Sequence, residues 1–324
     1  MSLTVSVALC THNGAQYLEQ QLRSILAQRL RPLEVVVSDD ASTDDTVQIV
    51  RRIWDELPDA PRLVLLSNHK ALGVTANFEQ AVSACTGELI ALSDQDDVWQ
   101  PERLEVIAAK FQSRPGLRLV FSDARLVSGA GSPLETSLFE ALEISPRDLE
   151  AVRSDEAFAT LLRRNLVTGA TTVFRRSLLD AALPLDRAWV HDEWLAVVAA
   201  ATGEVDWVPD LLIDYRQHGA NQIGVTAPTL RYKVSRVFES RGERNRSLAL
   251  RASRLLERIE TLGVSPRFAD LVRQKFEFES FRADLPPSRL RRIAPVLSLA
   301  RSGRYQRFAS RGRADILRDL LQPV

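Results

Sequence analysis

Short apolar runs rich in Val, Leu and Ile alternate, along the first part of the chain, with segments in which apolar residues recur every three or four positions. Runs of the first kind predict buried strands, and segments of the second kind predict helices with one buried face. The predicted strands are Leu3–Leu9, Leu33–Val37, Arg62–Leu66 and Glu88–Leu92, and helices are predicted between them, as at Thr75–Cys85. This alternation predicts an α/β fold with a doubly wound, mostly parallel sheet.

The pattern then becomes less regular. A further strand is predicted at Leu117–Leu126, and an apolar segment follows at Leu166–Phe174. Between them, the Gly/Ser/Pro stretch Ser128–Pro133 is typical of a mobile loop.

After Val225 the pattern consists of Arg-rich helices, which prolines such as Pro295 are predicted to interrupt. With 324 residues, 45% of them hydrophobic, the chain is long enough for one large domain with an appendage. We predict an α/β domain over residues 1–225 and an α-helical C-terminal region over residues 226–324.

The formal net charge is zero, but the charges are unevenly distributed. After Thr226 there are 22 Lys and Arg residues and only 10 Asp and Glu residues. A basic tail can meet nucleic acid, a phosphate-bearing substrate or anionic lipid. The chain carries no nucleic-acid-binding motif, so we expect no nucleic acid partner and favour a membrane surface.

The tail intersperses arginines with apolar residues, which is typical of an amphipathic helical surface on anionic lipid. A solvated face on helices that pack against the first domain is an equally good interpretation. The arginines are Arg289, Arg291, Arg292, Arg301, Arg304, Arg307, Arg311 and Arg313, and the apolar residues are Leu290, Ile293, Val296, Leu297, Leu299, Tyr305 and Phe308.

Cys10 and Cys85 both lie in apolar runs, which predicts two buried thiols and no disulfide framework. The first residues lack a basic stretch followed by an apolar segment, and the most apolar run, Leu195–Ala201, is shorter than a membrane-spanning helix. These features predict a cytoplasmic protein, with peripheral attachment to the inner face of the membrane as an alternative.

Asp94-Gln95-Asp96-Asp97 directly follows a predicted strand and is the strongest chemical signal in the chain. Crowded carboxylates repel one another unless a cation offsets them, and oxygen ligands suit Mg²⁺ or Mn²⁺. An acidic turn that caps the next helix is the alternative, and it accounts for one Asp better than for three.

Asp39 and Asp40 end the second predicted strand, where a carboxylate can accept hydrogen bonds from a ribose or a base. A helix N-cap is the alternative. Only Asn13-Gly14, and no Gly-x-Gly-x-x-Gly, follows the first strand, so a nicotinamide cofactor is not expected.

Two further motifs are weaker by pattern alone. In His191-Asp192-Glu193-Trp194 an acidic residue at a helix start could act as a general base, or could simply favour the helix dipole. In Tyr215-Arg216-Gln217-His218-Gly219, predicted to be a loop, His218 could bind a metal and Arg216 a phosphate. For Asp192 the two interpretations are equally good, whereas a lone His is more often an ordinary surface or core residue.

Taken together, these motifs resemble the inverting family-two glycosyltransferases of the GT-A fold, from about Val5 to about Gly224. Their order carries the resemblance. Val7–Gly14 is similar to the first strand and nucleotide loop, Val37–Thr46 to the base and ribose motif, Asn68–Asn77 to the segment beneath the nucleotide, and Asp94-Gln95-Asp96 to the metal-binding Asp-x-Asp.

The resemblance implies a role for each candidate residue. Asp192 would be the catalytic base, and Asp96 and His218 would bind Mn²⁺ or Mg²⁺. The implied nucleotide-sugar-binding residues are Thr11, Asn13, Asp39, Asp40, Asn77, Asp94 and Arg216. In two places this sequence departs from the family pattern: His12 stands where an aromatic residue is commoner, and Ala41 stands where Gly is usual, so that turn is not expected to need a positive φ.

The implied reaction is a single displacement in which an acceptor hydroxyl, on a glycan or a lipid-linked acceptor, attacks a nucleotide-diphosphate sugar with inversion. The extended motifs around Asp94 and His218 look especially like those of bacterial rhamnosyltransferases of surface polysaccharide synthesis, which implies dTDP-rhamnose. UDP-glucose or UDP-galactose, or a non-catalytic nucleotide-sugar-binding module, are the alternatives. A nucleotidyltransferase is disfavoured because Thr11–Gln16 lacks a basic triphosphate loop.

Overall fold

The structure, a computed structural model, describes residues 3–219 and 242–323. The predicted domain boundary at residues 225 and 226 lies outside the described residues. The strands are β1 (Val5–Thr11), β2 (Glu34–Asp39), β3 (Arg62–Ser67), β4 (Leu89–Ser93), β5 (Val98–Trp99), β6 (Leu117–Ser122), β7 (Arg125–Ser128), β8 (Pro133–Ser137), β9 (Val173–Arg175), β10 (Glu204–Val208) and β11 (Ile213–Gln217).

The α-helices of the described chain fall into two sets. The helices between strands are α1 (Leu18–Leu26), α2 (Thr46–Glu56), α3 (Val74–Ala84), α4 (Arg103–Ser113), α5 (Leu138–Ala141), α6 (Pro146–Val152), α7 (Ala157–Arg163), α8 (Leu179–Ala182) and α9 (His191–Thr202). Those of the C-terminal region are α10 (Gly242–Thr261), α11 (Pro266–Ala283), α12 (Arg289–Arg301), α13 (Arg304–Phe308) and α14 (Arg313–Leu321).

The main sheet has seven strands in the order β10-β6-β9-β4-β1-β2-β3. All neighbouring strands are parallel except β9, which runs antiparallel to both β4 and β6. Every residue of β2 and β4 is buried, as expected of central strands that are covered on both faces. The mostly parallel α/β sheet predicted from the sequence is therefore confirmed.

A second, four-stranded sheet has the order β5-β11-β7-β8. It corrects the prediction of one strand at Leu117–Leu126, because the chain leaves the main sheet after Ser122 and enters the second sheet at Arg125. Asp123 holds the corner: its Oδ1 accepts the backbone N–H groups of Ala124 (2.8 Å) and Phe139 (2.9 Å). A buried polar residue in an apolar run was the only sequence signal of this break.

The stretch Ser128–Pro133, predicted to be a mobile loop, is the tight turn of the β7–β8 hairpin. The N–H of Ser128 donates to the carbonyl of Ser132, the N–H of Gly131 donates to the carbonyl of Ser128, and Gly131 has a φ of 83°. Gly/Ser/Pro composition is shared by tight turns and loose loops, so it did not distinguish them.

The described residues form two compact units. The first comprises the residues up to Ser154 and those from Leu166 to residue 219. The second comprises Asp155–Asn165, which holds α7, together with the described residues from 242. The division into domains 1–225 and 226–324 stays a prediction, and it did not foresee that α7 groups with the C-terminal helices.

The C-terminal helices enclose a small apolar core and a network of buried charges. The core contains Phe278, Leu285, Val296, Leu299, Tyr305, Phe308 and Ala309. Beside it, Arg282 donates to Asp319 at 2.6 Å and to Glu279 at 2.8 Å, and Lys275 also pairs with Glu279 at 2.8 Å. The prediction that Pro295 interrupts a helix is wrong, since Pro295 lies inside α12.

Candidate active site

Three adjacent parallel strands, β4, β1 and β2, end at the same edge of the main sheet. In register, Thr11 lies beside Asp39, and Leu9 lies beside Ser93. The loops that follow these strands carry the three acidic or polar motifs singled out in the sequence. This edge is where open α/β sheets bind their ligands.

Hydrogen bonds between side chains shape the loop after β2. The Thr11 hydroxyl donates to Asp39 Oδ1 (2.8 Å), and Asp39 also accepts the hydroxyl of Ser42 (2.5 Å) and its backbone N–H (3.0 Å). Asn13 Oδ1 accepts the N–H of Thr43 at 2.8 Å. The predicted nucleotide-binding roles of Thr11, Asn13 and Asp39 stay predictions.

The expectation about Ala41 is wrong. Ala41 adopts a φ of 61° although it has a Cβ, so the turn after β2 keeps the left-handed conformation that usually favours Gly. The hydrogen bonds of the surrounding loop hold that conformation, and the backbone geometry associated with Gly in the family is retained without it.

Asp40 organises the segment that follows β3. Its carboxylate accepts the backbone N–H groups of Leu72 (2.6 Å) and Gly73 (2.9 Å) and the side-chain amide of Asn68 (3.3 Å). Gly73, with a φ of 85°, then leads into α3. Asp40 thus fixes residues 68–73, and its predicted contact with the nucleotide stays a prediction.

Asn77 braces α3 against β2, and its predicted nucleotide contact stays a prediction. Asn77 is buried in α3, where its Oδ1 accepts the Ser38 hydroxyl (2.6 Å) and its Nδ2 donates to the Ser38 carbonyl (2.9 Å). A buried amide whose two ends bind one residue of β2 is a brace between helix and sheet. The resemblance of residues 68–77 to the segment beneath the nucleotide did not indicate the direction of the Asn77 side chain.

Gln95, the middle residue of Asp94-Gln95-Asp96, joins this loop to the loop after β1. Its Oε1 accepts the N–H of His12 (2.8 Å), and its Nε2 donates to the carbonyl of His12 (3.1 Å). A Cβ added to Gly14 would lie 2.2 Å from Gln95 Oε1, so a side chain at this position would displace the Gln95 amide. The His12 ring in turn lies 2.7 Å, through Nδ1, from the carbonyl of Asp40.

Asp96 and His218 lie in direct contact, with Asp96 Oδ2 2.8 Å from His218 Nε2. His218 directly follows β11, and the preceding residues from Tyr215 to Gln217 belong to that strand, which corrects the prediction of a loop there. The ring of Tyr17 stacks on the His218 ring with centroids 4.8 Å apart. Tyr17 belongs to none of the motifs singled out in the sequence.

The donor set at this point is one carboxylate and one imidazole. Within residues 3–219 and 242–323 there is no cluster of three His, Cys, Asp or Glu side chains that could hold an ion. Two protein donors nevertheless fit Mg²⁺ or Mn²⁺, since such ions commonly complete their shell with water and substrate phosphate oxygens.

Two carboxylates at this edge of the sheet have raised pKa values. Burial, followed by the charges of Asp96 and Asp192, raises the pKa of Asp94 to about 7. Burial and the charges of Asp96 and Asp94 also raise the pKa of Asp97 well above its usual range. Asp97 Oδ1 accepts the backbone N–H of Arg216 at 3.0 Å, which ties the end of β11 to the acidic loop.

Arg216 braces the loop that carries Asp96. Its buried guanidinium donates to the carbonyls of Asp96 (2.7 Å) and Gly129 (3.1 Å) and to Gln20 Oε1 (2.8 Å). It also lies over the Tyr17 ring, with Cζ 4.8 Å from the ring centroid. The predicted phosphate contact of Arg216 stays a prediction.

Asp192 is buried in the first turn of α9. Its Oδ2 accepts the N–H of Gly169 (2.8 Å) and its Oδ1 the N–H of Glu193 (2.7 Å). Its charge acts on Asp94, so both carboxylates belong to one acidic edge. Gly169 belongs to none of the motifs singled out in the sequence, because a Thr-Gly-Ala-Thr run is equally typical of a tight turn into a buried strand.

Comparison with known proteins identifies the family to which this fold and site belong. The pattern of the family described as Glycosyl transferase family 2 matches residues 6–180. The chain belongs to this family.

Individual relatives match a similar region. The chain is 27% identical over 223 residues to an uncharacterized glycosyltransferase of Nostoc sp., which covers 68% of this chain and 66% of that protein. It is 30% identical over 240 residues to an uncharacterized protein of Mycobacterium bovis, which covers 74% of this chain and 64% of that protein. The matched region thus spans just under two thirds of the length of both relatives.

Solved structures share the fold. A mannosyltransferase, PcManGT from Pyrobaculum calidifontis in complex with GDP-Man and Mn²⁺, has a TM-score of 0.55 and 22% identity, over 94% of this chain and 76% of that one. S. aureus TarS 1–349 in complex with UDP-GlcNAc has a TM-score of 0.59 and 18% identity, over 98% of this chain and 89% of that one. The fold is GT-A, with a helical C-terminal region.

Proposed function

We propose that this protein transfers a sugar from a nucleotide-diphosphate donor to an acceptor hydroxyl, with inversion at the anomeric carbon. The observation that carries the proposal is the gathering of Asp94, Asp96, His218 and Asp192 at the ligand-binding edge of the sheet. Membership of glycosyl transferase family 2 supports the same reaction class.

Asp96 and His218 are the residues that would hold a divalent cation, Mn²⁺ or Mg²⁺. A cation here would offset the repulsion among the acidic groups and, when bound, would supply positive charge for the departing diphosphate. After burial, the charges of Asp96 and Asp192 raise the pKa of Asp94, and a cation bound at Asp96 would oppose their effect. The Mn²⁺ in the mannosyltransferase structure supports a metal of this type.

Asp192 is proposed as the general base. Its carboxylate would accept the proton of the acceptor hydroxyl while that oxygen attacks the anomeric carbon from the face opposite the diphosphate. The new C–O bond forms as the bond to the diphosphate oxygen breaks, so the configuration inverts. General base catalysis of this kind contributes about 10²–10⁴-fold to a rate.

The donor we propose is dTDP-rhamnose, and the acceptor a glycan or lipid-linked hydroxyl in cell-surface polysaccharide synthesis. The motifs around Asp94 and His218 support rhamnose through their resemblance to rhamnosyltransferases. UDP-glucose and UDP-galactose are the alternative donors, because structures of the same fold hold donors as different as GDP-Man and UDP-GlcNAc.

The test is a donor screen that follows release of nucleotide diphosphate with Mn²⁺ or Mg²⁺ present. The donors are dTDP-rhamnose, UDP-glucose, UDP-galactose and GDP-mannose, with membrane lipid extract as the acceptor source. Asp96→Ala and Asp192→Asn are expected to lose release. Asp55→Asn, an exposed carboxylate on α2, is the matched control and should retain it.

Metal-dependent release from one donor, lost in both site variants, would support a transferase and identify its sugar. Release from UDP-glucose or UDP-galactose alone would overturn the assignment of rhamnose but keep the reaction class. Nucleotide binding by calorimetry without release from any donor, even with the lipid extract, would instead favour a non-catalytic nucleotide-sugar-binding module.

We further propose that the C-terminal helices meet an anionic membrane surface. Fewer of their residues are available to lipid than the sequence predicted. Val296, Leu299, Tyr305 and Phe308 are buried in the core of their unit. Arg292 is also buried, and its guanidinium donates to backbone carbonyls of Pro287, Asp319 and Gln322. These residues stabilise the helical unit and are not available to lipid.

The proposed membrane contact is supported by an apolar stripe on α12. It is formed by Leu290, Ile293 and Leu297, whose exposed fractions are 81%, 44% and 39%. The exposed Arg289, Arg291 and Arg301 flank it on the same helix, and no acidic residue occurs between Asp284 and Asp315. Apolar side chains bordered by arginines suit the boundary between acyl chains and anionic headgroups. No helix of the described residues is long and apolar enough to cross a membrane.

Vesicle co-sedimentation tests this surface. The wild type should sediment with vesicles that contain phosphatidylserine at low salt, but not with phosphatidylcholine vesicles. Replacing Leu290, Ile293 and Leu297 together with Gln should abolish binding. Leu250→Gln, at a comparably exposed leucine on α10, should not change it. Equal sedimentation of the triple variant and the wild type would contradict the proposal.

A further inference from the structure

We infer that Gly169 is the residue that positions the general base, an inference that rests on the proposed function of Asp192. Gly169 begins a short 3-10 helix, Gly169–Thr171, that lies before β9. Its backbone N–H donates to Asp192 Oδ2 at 2.8 Å. This bond crosses from the β9 side of the sheet to the first turn of α9, and it fixes one carboxylate oxygen in space.

His191 sets how closely the Gly169 segment approaches Asp192. The imidazole is buried, and one face stacks on Phe78 of α3, with ring centroids 3.8 Å apart and the planes inclined by 17°. The ring edge faces Gly169: a Cβ built on Gly169 would lie 2.7 Å from His191 Nε2 and 3.4 Å from its Cε1. Phe78 packs on one face of the ring, and the buried ring forms a wall beside Gly169.

Glycine at 169 allows both the hydrogen bond to Asp192 and the close approach to His191, whereas a side chain would force the ring or the segment to shift. The same Cβ would lie 3.6 Å from Asp192 Oδ2, which is an ordinary contact, so the obstacle to a side chain is His191 and not the base itself. Any larger residue at 169 would push its segment away from the wall and lengthen the N–H···Oδ2 bond. Asp192 would then lose the donor that aims its carboxylate at the acceptor.

Both nitrogens of His191 are buried and make no hydrogen bond to any residue that the structure describes. A buried polar side chain without a protein partner calls for an explanation, and a role at a functional site is one. His191 directly precedes the proposed base and faces Gly169, so its ring is placed to set how closely the Gly169 segment approaches Asp192.

The test compares Gly169→Ala with Gly116→Ala. A Cβ on Gly116 would meet Glu204 Oε1 at 2.8 Å, a similar nominal overlap, but this atom ends an exposed side chain that can move aside. We expect Gly169→Ala to lower kcat by about 10²-fold, as for a displaced catalytic group. The dissociation constant of the nucleotide sugar should stay within about threefold, and Gly116→Ala should match the wild type in both.

A double-variant cycle separates positioning from loss of structure. In the His191→Ala background the wall is absent, so adding Gly169→Ala should change kcat by less than about threefold. A reduction that is equal in both backgrounds would overturn the role of His191. Full activity of Gly169→Ala beside an active wild type would overturn the role of Gly169 and leave the proposed function intact. Absence of turnover in the wild type would overturn both.

Discussion

Gln95 and His12 are joined by two reciprocal hydrogen bonds, His12 N–H to Gln95 Oε1 at 2.8 Å and Gln95 Nε2 to the His12 carbonyl at 3.1 Å. The Gln95 side-chain amide both accepts from and donates to the His12 backbone, which is the pattern of a hydrogen-bonded residue pair in an antiparallel sheet. The pair connects the loop after β1 to the loop that carries Asp94 and Asp96. Movement of either loop is therefore transmitted to the other.

Replacing Gln95 with Ala should lower kcat/KM for the nucleotide sugar about tenfold, because both bonds are lost and Asp96 is held less firmly against His218. Two neutral hydrogen bonds contribute about 1–3 kcal/mol together, which corresponds to this range. Steady-state kinetics with the donor found in the screen measures the effect. Gln48→Ala, an exposed glutamine on α2, is the control and should behave as the wild type.

Gly14→Ala should reproduce the Gln95 effect, since its Cβ would lie 2.2 Å from Gln95 Oε1 and displace the amide. The combined variant Gly14→Ala, Gln95→Ala should be no worse than Gln95→Ala alone. Additive losses in the combined variant would show that Gly14 acts through something other than Gln95.

The sequence predicted the layers of the fold but not the direction of every side chain. Alternating apolar runs predicted β1 to β4 to within two residues at each end, because burial on both faces leaves a strong signal in composition. The acidic and polar motifs that end successive strands lie together at one edge of the sheet, as parallel strands require. The break at Asp123 was missed, since a single polar residue decides which sheet the chain enters next.

Asn77 and Arg216 show what sequence patterns leave open. Each has the chemistry to bind a nucleotide, yet each is used to join two elements of the protein, Asn77 to Ser38 and Arg216 to the carbonyl of Asp96. Sequence patterns give donor and acceptor chemistry but not which partner comes within reach after folding. The contacts of Tyr17 and Gly169 were also missed. Neither residue type has chemistry that marks it as a site residue, and their partners come within reach only after folding.

Tyr17 is predicted to control the affinity of the site for metal. Its ring stacks on His218 and lies under the Arg216 guanidinium, so it restricts the orientation of the imidazole that faces Asp96. Tyr17→Ala should weaken activation by Mn²⁺ about 10-fold to 100-fold, the usual effect of removing a group that orients a metal ligand. Titration of activity with Mn²⁺, and of bound Mn²⁺ by electron paramagnetic resonance, measures it.

Tyr17→Phe is the matched control, since it keeps the stacked ring and loses only the hydroxyl. It should bind Mn²⁺ as the wild type does. An equal loss in Tyr17→Phe would mean that the hydroxyl, not the stacking, is what matters. Removal of metal by EDTA should abolish turnover in all three proteins, and added Mn²⁺ should restore it.

Asp206 of β10 is predicted to stabilise the first unit in a pH-dependent way. Its buried carboxylate pairs with Arg114 (2.6 Å), Arg153 (2.6 Å) and Lys110 (3.5 Å). Burial opposes its charged form, but the hydrogen bond from Arg153, the N–H of Trp207 and the nearby positive charges outweigh it and lower the pKa of Asp206. Asp206→Asn should cost about 1–3 kcal/mol in the free energy of unfolding at pH 7, because the cations lose their charged partner.

Because the pKa of Asp206 is lower in the folded than in the unfolded protein, the folded protein binds fewer protons at acid pH. Its contribution is therefore complete above the unfolded value of about 3.9 and is lost as the pH falls through the folded value. Urea unfolding of both proteins at pH 7 and at pH 3 measures the difference. A gap between wild type and Asp206→Asn that widens at pH 3 would contradict this account.

His191 allows the opposite kind of prediction, in which a substitution leaves stability unchanged or raises it. Both ring nitrogens are buried without a hydrogen-bond partner among the described residues, and each buried atom left unsatisfied costs about 1–3 kcal/mol relative to a satisfied one. Leu has nearly the volume of His and no polar atom. His191→Leu should therefore match or exceed the wild type in the free energy of unfolding at pH 8, measured by urea denaturation.

Burial lowers the pKa of His191, which outweighs the raising effect of the Asp192 charge. The unfolded chain then binds a proton at about pH 6.5 while the folded chain does not, so the wild type loses stability as the pH falls below that value. His191→Leu lacks this titration, and its advantage over the wild type should grow from pH 8 to pH 5. A shrinking advantage over that range would mean that the imidazole gains a partner for its charged form, and it would exclude the neutral wall on which the positioning of Asp192 depends.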